Sequence, residues 1–237
     1  MQNEDQAWLD YRARFHNVYD QYNYASPLQA AVMGASHRLA ERQFKRDHYY
    51  PRVLEVGSGT AEHLRYVSHR FDQYVLTDAD SSALDVAKKK CEGMHAGALS
   101  FEVAKGESLD YEDDSFDRLI AVHVLEHILQ PHLALKEWSR VVKKGGVMSI
   151  LIPTDPGIAW RLGRHLGPRK RALQDGIAYD YVMAREHVNP CNNLIALIHH
   201  YFPRRTEAWW PFALPSIDLN LFYVCHAIVE KPGRVGC

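Results

Sequence analysis

The chain lacks any apolar run long enough to cross a membrane, and its opening residues Met1-Gln2-Asn3-Glu4-Asp5 are polar and acidic. Neither a transmembrane helix nor a secretory leader is therefore expected. Cysteine is sparse. Cys91, Cys191, Cys225 and Cys237 are scattered with no CxxC pair, which argues against a CxxC-based zinc or redox motif and suits reduced thiols in a cytoplasmic protein. An excess of either charge is also missing. The 28 Lys and Arg balance 29 Asp and Glu, leaving a net charge of -1, so nothing pulls the whole chain toward nucleic acid or an anionic membrane. No internal repeat or low-complexity tract is visible. With 237 residues, 46% of them hydrophobic, the chain can bury one sizeable core, and a single domain over 1–237 is expected.

Trp8, Tyr11, Phe15, Tyr19 and Tyr22 recur at helical spacing. Ser26-Pro27 then reads as a cap and first-turn proline. The helix that follows offers Leu28, Ala31, Val32 and Leu39 as an apolar face and ends in a charged stretch from Glu41 to Asp47. These two helices form an N-terminal cap, 1–48. Strand and helix alternate over 50–153, with strands expected at 52–56, 73–77, 99–103, 118–122 and 147–152. A helix is expected from Ser81 or Ser82 to Lys90, and another over 131–142, stopped by Gly145-Gly146. Such alternation predicts an α/β, Rossmann-like fold, a central mostly parallel sheet with helices on both faces. Residues 154–189 lose the regularity and read as a substrate lid. The remainder, 190–237, reads as a helix from Asn192 to Tyr201 and a hairpin of strands 209–214 and 219–230 that completes the sheet.

The chemistry begins at Glu55-Val56-Gly57-Ser58-Gly59-Thr60-Ala61. Glycines after a short strand let the backbone approach a ligand closely. A carboxylate beside the turn would repel a pyrophosphate, and Glu62 stands where a dinucleotide fingerprint needs its third glycine. Both acids disfavour a nicotinamide oxidoreductase. Asp78 still lies at the distance of a ribose-binding acid, with Ala79 next to it. A cofactor with a ribose, positive charge and no phosphate fits, and S-adenosylmethionine is such a molecule.

Here the chain resembles the class I S-adenosylmethionine-dependent methyltransferases. Their acidic residue and glycine-rich first motif correspond to Glu55 through Ala61, with Ala61 in place of a last glycine. Their ribose acid corresponds to Asp78. Glu107 through Asp117, then Val124-Leu125-Glu126-His127, then Arg140 through Gly146 keep the family's order. The resemblance implies S-adenosyl-L-methionine held by Glu55, Gly57, Ser58, Gly59, Asp78, Ala79 and His123. Lys105 occupies the place of an acid that often meets the adenine, and Glu107 or Ser108 is expected to substitute.

His123-Val124-Leu125-Glu126-His127 also spells HxxEH, a zinc-hydrolase pattern for which Glu186 or Glu207 could complete the set. The segment follows a buried strand and a cofactor turn, so this hydrolase reading is disfavoured and no metal is expected. His127, His187 and Glu126 are instead the candidate catalytic residues, with histidine suited to act as a base near neutral pH. The basic run Trp160 to Arg171 allows capture of an anionic group by Arg161 and Arg164, with Tyr179, Tyr181 and Arg185 beside them. It also allows a peripheral membrane contact through Trp160, Leu162 and Leu166. The expected reaction is methyl transfer to a small-molecule, lipid- or glycan-linked acceptor, on a hydroxyl oxygen in preference to an amine. No nucleic-acid partner is expected, and oligomeric state is not legible.

Overall fold

The computed structural model describes residues 8, 9, 11, 26–95 and 97–231. Trp8 and Tyr11 are helical, their ring centroids 5.6 Å apart; Phe15, Tyr19, Tyr22 and Cys237 lie outside the described residues. Helix α1 (Pro27–Glu41) is capped by the Ser26 side chain, which accepts from the Gln29 N–H, and has proline in its first turn. Five parallel strands follow: β1 (Arg52–Val56), β2 (Gln73–Asp78), β3 (Leu99–Val103), β4 (Phe116–Val122) and β5 (Val142–Pro153). They alternate with α2 (Ser81–Lys90) and α3 (Pro131–Val141). Three short helices, α4 (Ile158–Leu166), α5 (Pro168–Gln174) and α6 (Tyr179–Glu186), fill the stretch that looked irregular in sequence. Helix α7 (Cys191–Tyr201) and the antiparallel pair β6 (Arg205–Trp210) and β7 (Phe222–Ile228) complete the described chain. The sheet has seven strands in the order β3-β2-β1-β4-β5-β7-β6.

Strand alternation divides the core. Leu54, Val56, Leu119 and Ala121 point into the cluster built around Trp138 and Leu135 of α3. Val53, Tyr74, Leu76 and Ile120 point the other way. Full burial of each such aliphatic side chain contributes about 1.5–3 kcal/mol, and both faces are covered, as a parallel sheet requires. The parallel order reverses direction between β1 and β4, and ligands on open sheets bind beyond the strand ends at that point.

Three expectations need correction. Gly145 and Gly146 do not stop a helix but lie within β5, which starts at Val142, immediately after α3 ends. The final hairpin begins and ends earlier than its aromatic pattern suggested: β6 starts at Arg205 and stops before Pro211, which has no N–H to continue the ladder. The apolar face assigned to α1 is half open: Leu28 is 75% exposed and Ala31 exposed, while Val32 and Leu39 pack on the core. What α1 buries is largely polar: Ser36, His37 and Glu41 beside Leu39 and Ala40.

The reason is an ion pair. Arg118 on β4 is fully buried and donates through both terminal nitrogens to Glu41, at 2.6 and 2.9 Å. Ser149 on β5 accepts from the same guanidinium at 3.0 Å, and Phe44 stacks under it at 3.6 Å. His63 Nε2 lies 3.0 Å from Glu41 Oε1, the oxygen that accepts from Arg118 at 2.6 Å. Burial alone would push the Glu41 carboxyl up, but Arg118 and His63 outweigh it and hold the group at about 2 against an ordinary 4.5. Because the folded value is depressed, this stabilisation is complete above pH 4.5 and is lost as pH falls toward 2. Glu41→Gln, which leaves Arg118 buried without its charge partner, should lower unfolding free energy by about 3 kcal/mol at pH 7 in urea titrations. The variant should also show a flatter stability profile than the parent between pH 4.5 and pH 2.

Candidate functional site

The glycine turn leaves β1 with Gly57 and Gly59 at positive φ, 66° and 52°. Ala61 adopts φ 63° as well, so the alanine keeps the left-handed conformation that a glycine would take more easily. The two glycines serve different purposes. A Cβ on Gly57 would lie 2.5 Å from Val124 Cγ2, so the turn and the end of β4 touch there. A Cβ on Gly59 would meet nothing within 4 Å, so its face is open to a ligand. Asp78, at the end of β2, holds the turn by accepting from the Gly59 N–H at 2.8 Å and from the Asp80 N–H at 2.9 Å. Each carboxylate oxygen keeps a further lone pair for a ribose hydroxyl. Ala79 is exposed beside it.

Glu55 is buried and accepts from the Tyr74 hydroxyl at 2.5 Å. Burial raises its pKa, against the opposing pull of His63 and Tyr74. Ser58 Oγ is buried with no hydrogen-bond partner, a cost that an incoming polar group removes. Glu55, Ser58 and Gly59 line one cavity together with His37, His63 and His123. The unpaired hydroxyl, the open glycine face and the acid fit the polar, positively charged cofactor that the sequence pointed to. Glu62 also lines the cavity, but Lys90 at 2.9 Å and Arg65 at 3.0 Å neutralise it. The argument against a pyrophosphate thus falls on Glu55 more than on Glu62. Glu107 and Ser108 are exposed on a turn that closes back on Lys105, outside that cavity lining.

His37 and His63 were invisible as site residues because a lone histidine carries no spacing signal. Their Nδ1 atoms are 3.0 Å apart. Glu41 can only accept, so with both rings neutral it takes the His63 Nε2 proton and leaves Nδ1 to accept from His37. Burial, with the neighbouring His63 and His123, drives the His37 pKa well below 6.5.

At the end of β4 the backbone turns sharply at His123, whose φ is 58°. A non-glycine residue in this region carries strain, held here by contacts of its ring with Ser36 at 3.1 Å and Phe222 at 5.3 Å. A single 3-10 turn, Leu125–His127, follows, so Glu126 and His127 precede α3 instead of opening it. Glu126 Oε1 lies 3.7 Å from His123 Nδ1 and 3.9 Å from His127 Nε2. Burial opposes ionisation of Glu126, yet the surrounding histidines hold its pKa below the ordinary carboxylate range.

The segment after β5 brings His187 to this turn. Its ring meets that of His127 edge to face at 5.1 Å, and its Nδ1 lies 2.9 Å from Asp155 Oδ2. Asn189 ties the two segments by donating its side-chain N–H to the Ile128 carbonyl at 2.6 Å. Asp155 also pairs with Arg164 at 3.0 Å, and Arg164 donates to the Tyr179 hydroxyl at 3.1 Å. Arg164, Arg161, His165, Arg169 and Tyr179 line a second cavity of about 260 Å³ that shares Asp155 with the first group. Arg169 pairs with Asp180; the Arg161 guanidinium makes no ion pair with a carboxylate among the described residues. Tyr181 and Arg185 stand apart from both cavity linings. They form a surface cluster with Trp8, over whose ring Arg185 lies at 4.0 Å. Trp160 turns inward against Phe222 and His187, so the exposed row on α4 is Ile158, Leu162 and Leu166.

Solved structures place this architecture among class I methyltransferase folds. A SAM-dependent methyltransferase of Thermotoga maritima, titled a possible histamine N-methyltransferase, aligns with a TM-score of 0.62 and 18% identity over 95% of this chain and all of that one. The PH0226 protein of Pyrococcus horikoshii aligns with a TM-score of 0.62 and 16% identity over 91% of this chain and 98% of that one. In sequence, residues 54–150 match a methyltransferase domain family. The matched domain, the relatives and the fold together support a class I S-adenosylmethionine-dependent methyltransferase. Ubiquinone/menaquinone biosynthesis C-methyltransferases UbiE are among its relatives. That of Geotalea daltonii is 31% identical over 58% of this chain and 60% of its own length, and that of Pseudomonas fluorescens 28% identical over 58% and 55%. The chain therefore spans little more than half the length of these curated relatives.

Because the Gly57 position combines positive φ with contact on Val124, Gly57→Ala should abolish detectable S-adenosylhomocysteine binding in calorimetry while the protein keeps its circular-dichroism spectrum.

Proposed function

We propose that this protein transfers the methyl group of S-adenosylmethionine to a hydroxyl oxygen of a small-molecule, lipid- or glycan-linked acceptor that carries an anionic group. The observation that carries the reading is the position of His123. It lines the cavity of the glycine turn and also approaches Glu126, so the donor site and the Glu126–His127–His187 cluster are neighbours.

S-adenosylmethionine, when bound, supplies an activated methyl group on a sulfonium, so the protein's task is chiefly to position and orient. The glycine turn, the Ser58 hydroxyl and Asp78 would hold the donor, with the Glu55 carboxylate near its positive charge. An acceptor hydroxyl must lose its proton near the time of attack. The Nδ1 atoms of His127 and His187 are engaged with Glu186 and Asp155, which supports Nε2 of either ring as the proton acceptor. Arg161 and Arg164, in the cavity across Asp155, suit a phosphate or carboxylate of the acceptor. The matched domain ends at residue 150, ahead of all these lid residues. The family match therefore bears on the donor half.

The test is turnover of methyl-labelled S-adenosylmethionine against a panel of anionic hydroxyl and amine acceptors, with the methylated atom read by NMR. A labelled ether oxygen is expected; a labelled nitrogen or carbon overturns the choice of atom. Glu55→Gln should weaken S-adenosylmethionine about tenfold in calorimetry, whereas unchanged affinity together with tight NADH binding would reverse the donor assignment. Arg161→Ala should raise KM for the anionic acceptor roughly tenfold with kcat retained.

A further inference from the structure

Glu126 and His127, on the turn after β4, meet His187 from the far end of α6, and one donor atom from each lies within 4.8 Å of the others. Both imidazoles are already oriented from behind. The Glu186 carbonyl accepts from His127 Nδ1–H at 2.9 Å, and Asp155 Oδ2 accepts from His187 Nδ1–H at 2.9 Å. Each ring is thereby left with its Nε2 lone pair for another partner. A carbonyl or carboxylate behind the far nitrogen is the arrangement that fixes the tautomer and raises the basicity of a metal-ligating histidine.

A second observation is independent of the rings. Glu126 is 2% exposed, and its Oε2 is buried with no hydrogen-bond partner. Its other oxygen stands within ion-pair range of His123 Nδ1 and His127 Nε2, at 3.7 and 3.9 Å, too far for a direct hydrogen bond. Buried carboxylates are paired or bind a cation.

We propose that Glu126, His127 and His187 form a binding site for a first-row divalent transition metal, coordinated by one carboxylate oxygen and two imidazole nitrogens. Two nitrogen donors argue against calcium or magnesium, which take oxygen sets. Two histidines and one carboxylate suit zinc or iron(II), and three protein ligands leave positions for solvent or substrate. Glu186 and Asp155 act as the supporting shell. His123 is not a ligand, because its left-handed backbone and its contact with Ser36 turn the ring toward the cofactor cavity. HxxEH is therefore misleading as a pattern here: the chain forms no helix to bring both of its histidines to one face, and His187 supplies the second imidazole. A bound metal would occupy the Nε2 lone pairs otherwise free to act as base, so in the metal-loaded protein coordination of an acceptor hydroxyl would lower its pKa and send its proton to solvent in place of that base; that role, unlike the binding itself, rests on the function proposed above.

Untagged protein, stripped with chelator, should bind one equivalent of zinc chloride in calorimetry. With cobalt(II) it should give the visible absorption of a low-coordinate nitrogen and oxygen site. Glu126→Gln, nearly the same shape, and His187→Ala should each weaken zinc about 100-fold or more, Asp155→Asn about tenfold, and His123→Ala should keep the full equivalent. Absence of stoichiometric binding by the parent overturns the site. So does binding that survives in both Glu126→Gln and His187→Ala, or that is lost only in His123→Ala. S-adenosylhomocysteine titrations on the same samples separate the two ideas: zinc bound without this ligand ever binding would sink the methyl-donor reading and leave the metal site standing.

Discussion

The buried pair of Arg118 and Glu41 is the contact on which the upper half of the molecule depends. Arg118 sits at the centre of the sheet, where an unpaired guanidinium would be prohibitive. Glu41 can reach it only if α1 lies across β4 and β5. Ser149, Phe44 and His63 then complete the shell of the two charges. Once α1 is fixed in this way, Ser36 and His37 face the end of β4. Ser36 holds His123, and His37 and His63 wall the cavity over the glycine turn. A charge pair that adds modest net stability thus sets where the roof of the cofactor cavity lies.

A second constraint acts at the end of β4. Gly57 and Val124 are in contact, His123 is held in a strained backbone conformation, and a 3-10 turn follows. Asn189 and the His187–Asp155–Arg164 chain fasten the segment after β5 to this point. That segment, the turn and the strand ends therefore share one polar network, beside the apolar contact of Trp160 with Phe222.

The cofactor half was legible in the sequence because its signals are local. A strand, a glycine turn and an acid at the end of the next strand lie within about one βαβ unit, and backbone geometry dictates the residue types. The ends of α2 and α7 at Lys90 and Tyr201 were legible as well, although Asp80, not Ser81 or Ser82, caps α2. Trp160 was misjudged, since its basic neighbours suggested a surface while its ring packs inward. Tyr181 and Arg185 stand on the exposed side of α6, opposite the buried Tyr179 and Val182. Glu41 reads as the start of a charged stretch, and Arg118 as the first residue of a strand. Charge alone gives no hint of burial when the partner is 77 residues away.

By itself, the sequence determined the alternating sheet, the glycine turn after β1, the acid Asp78 at the end of the next strand and the class of the fold, since each follows from short-range pattern and backbone sterics. Only the tertiary structure decided which side chains share a site. Glu41 with Arg118, His37 with His63, and Glu126 and His127 with His187 are pairings across long loops. They are set by how helices dock on a twisted sheet and by the need of each buried polar atom for a partner, conditions that no local spacing encodes.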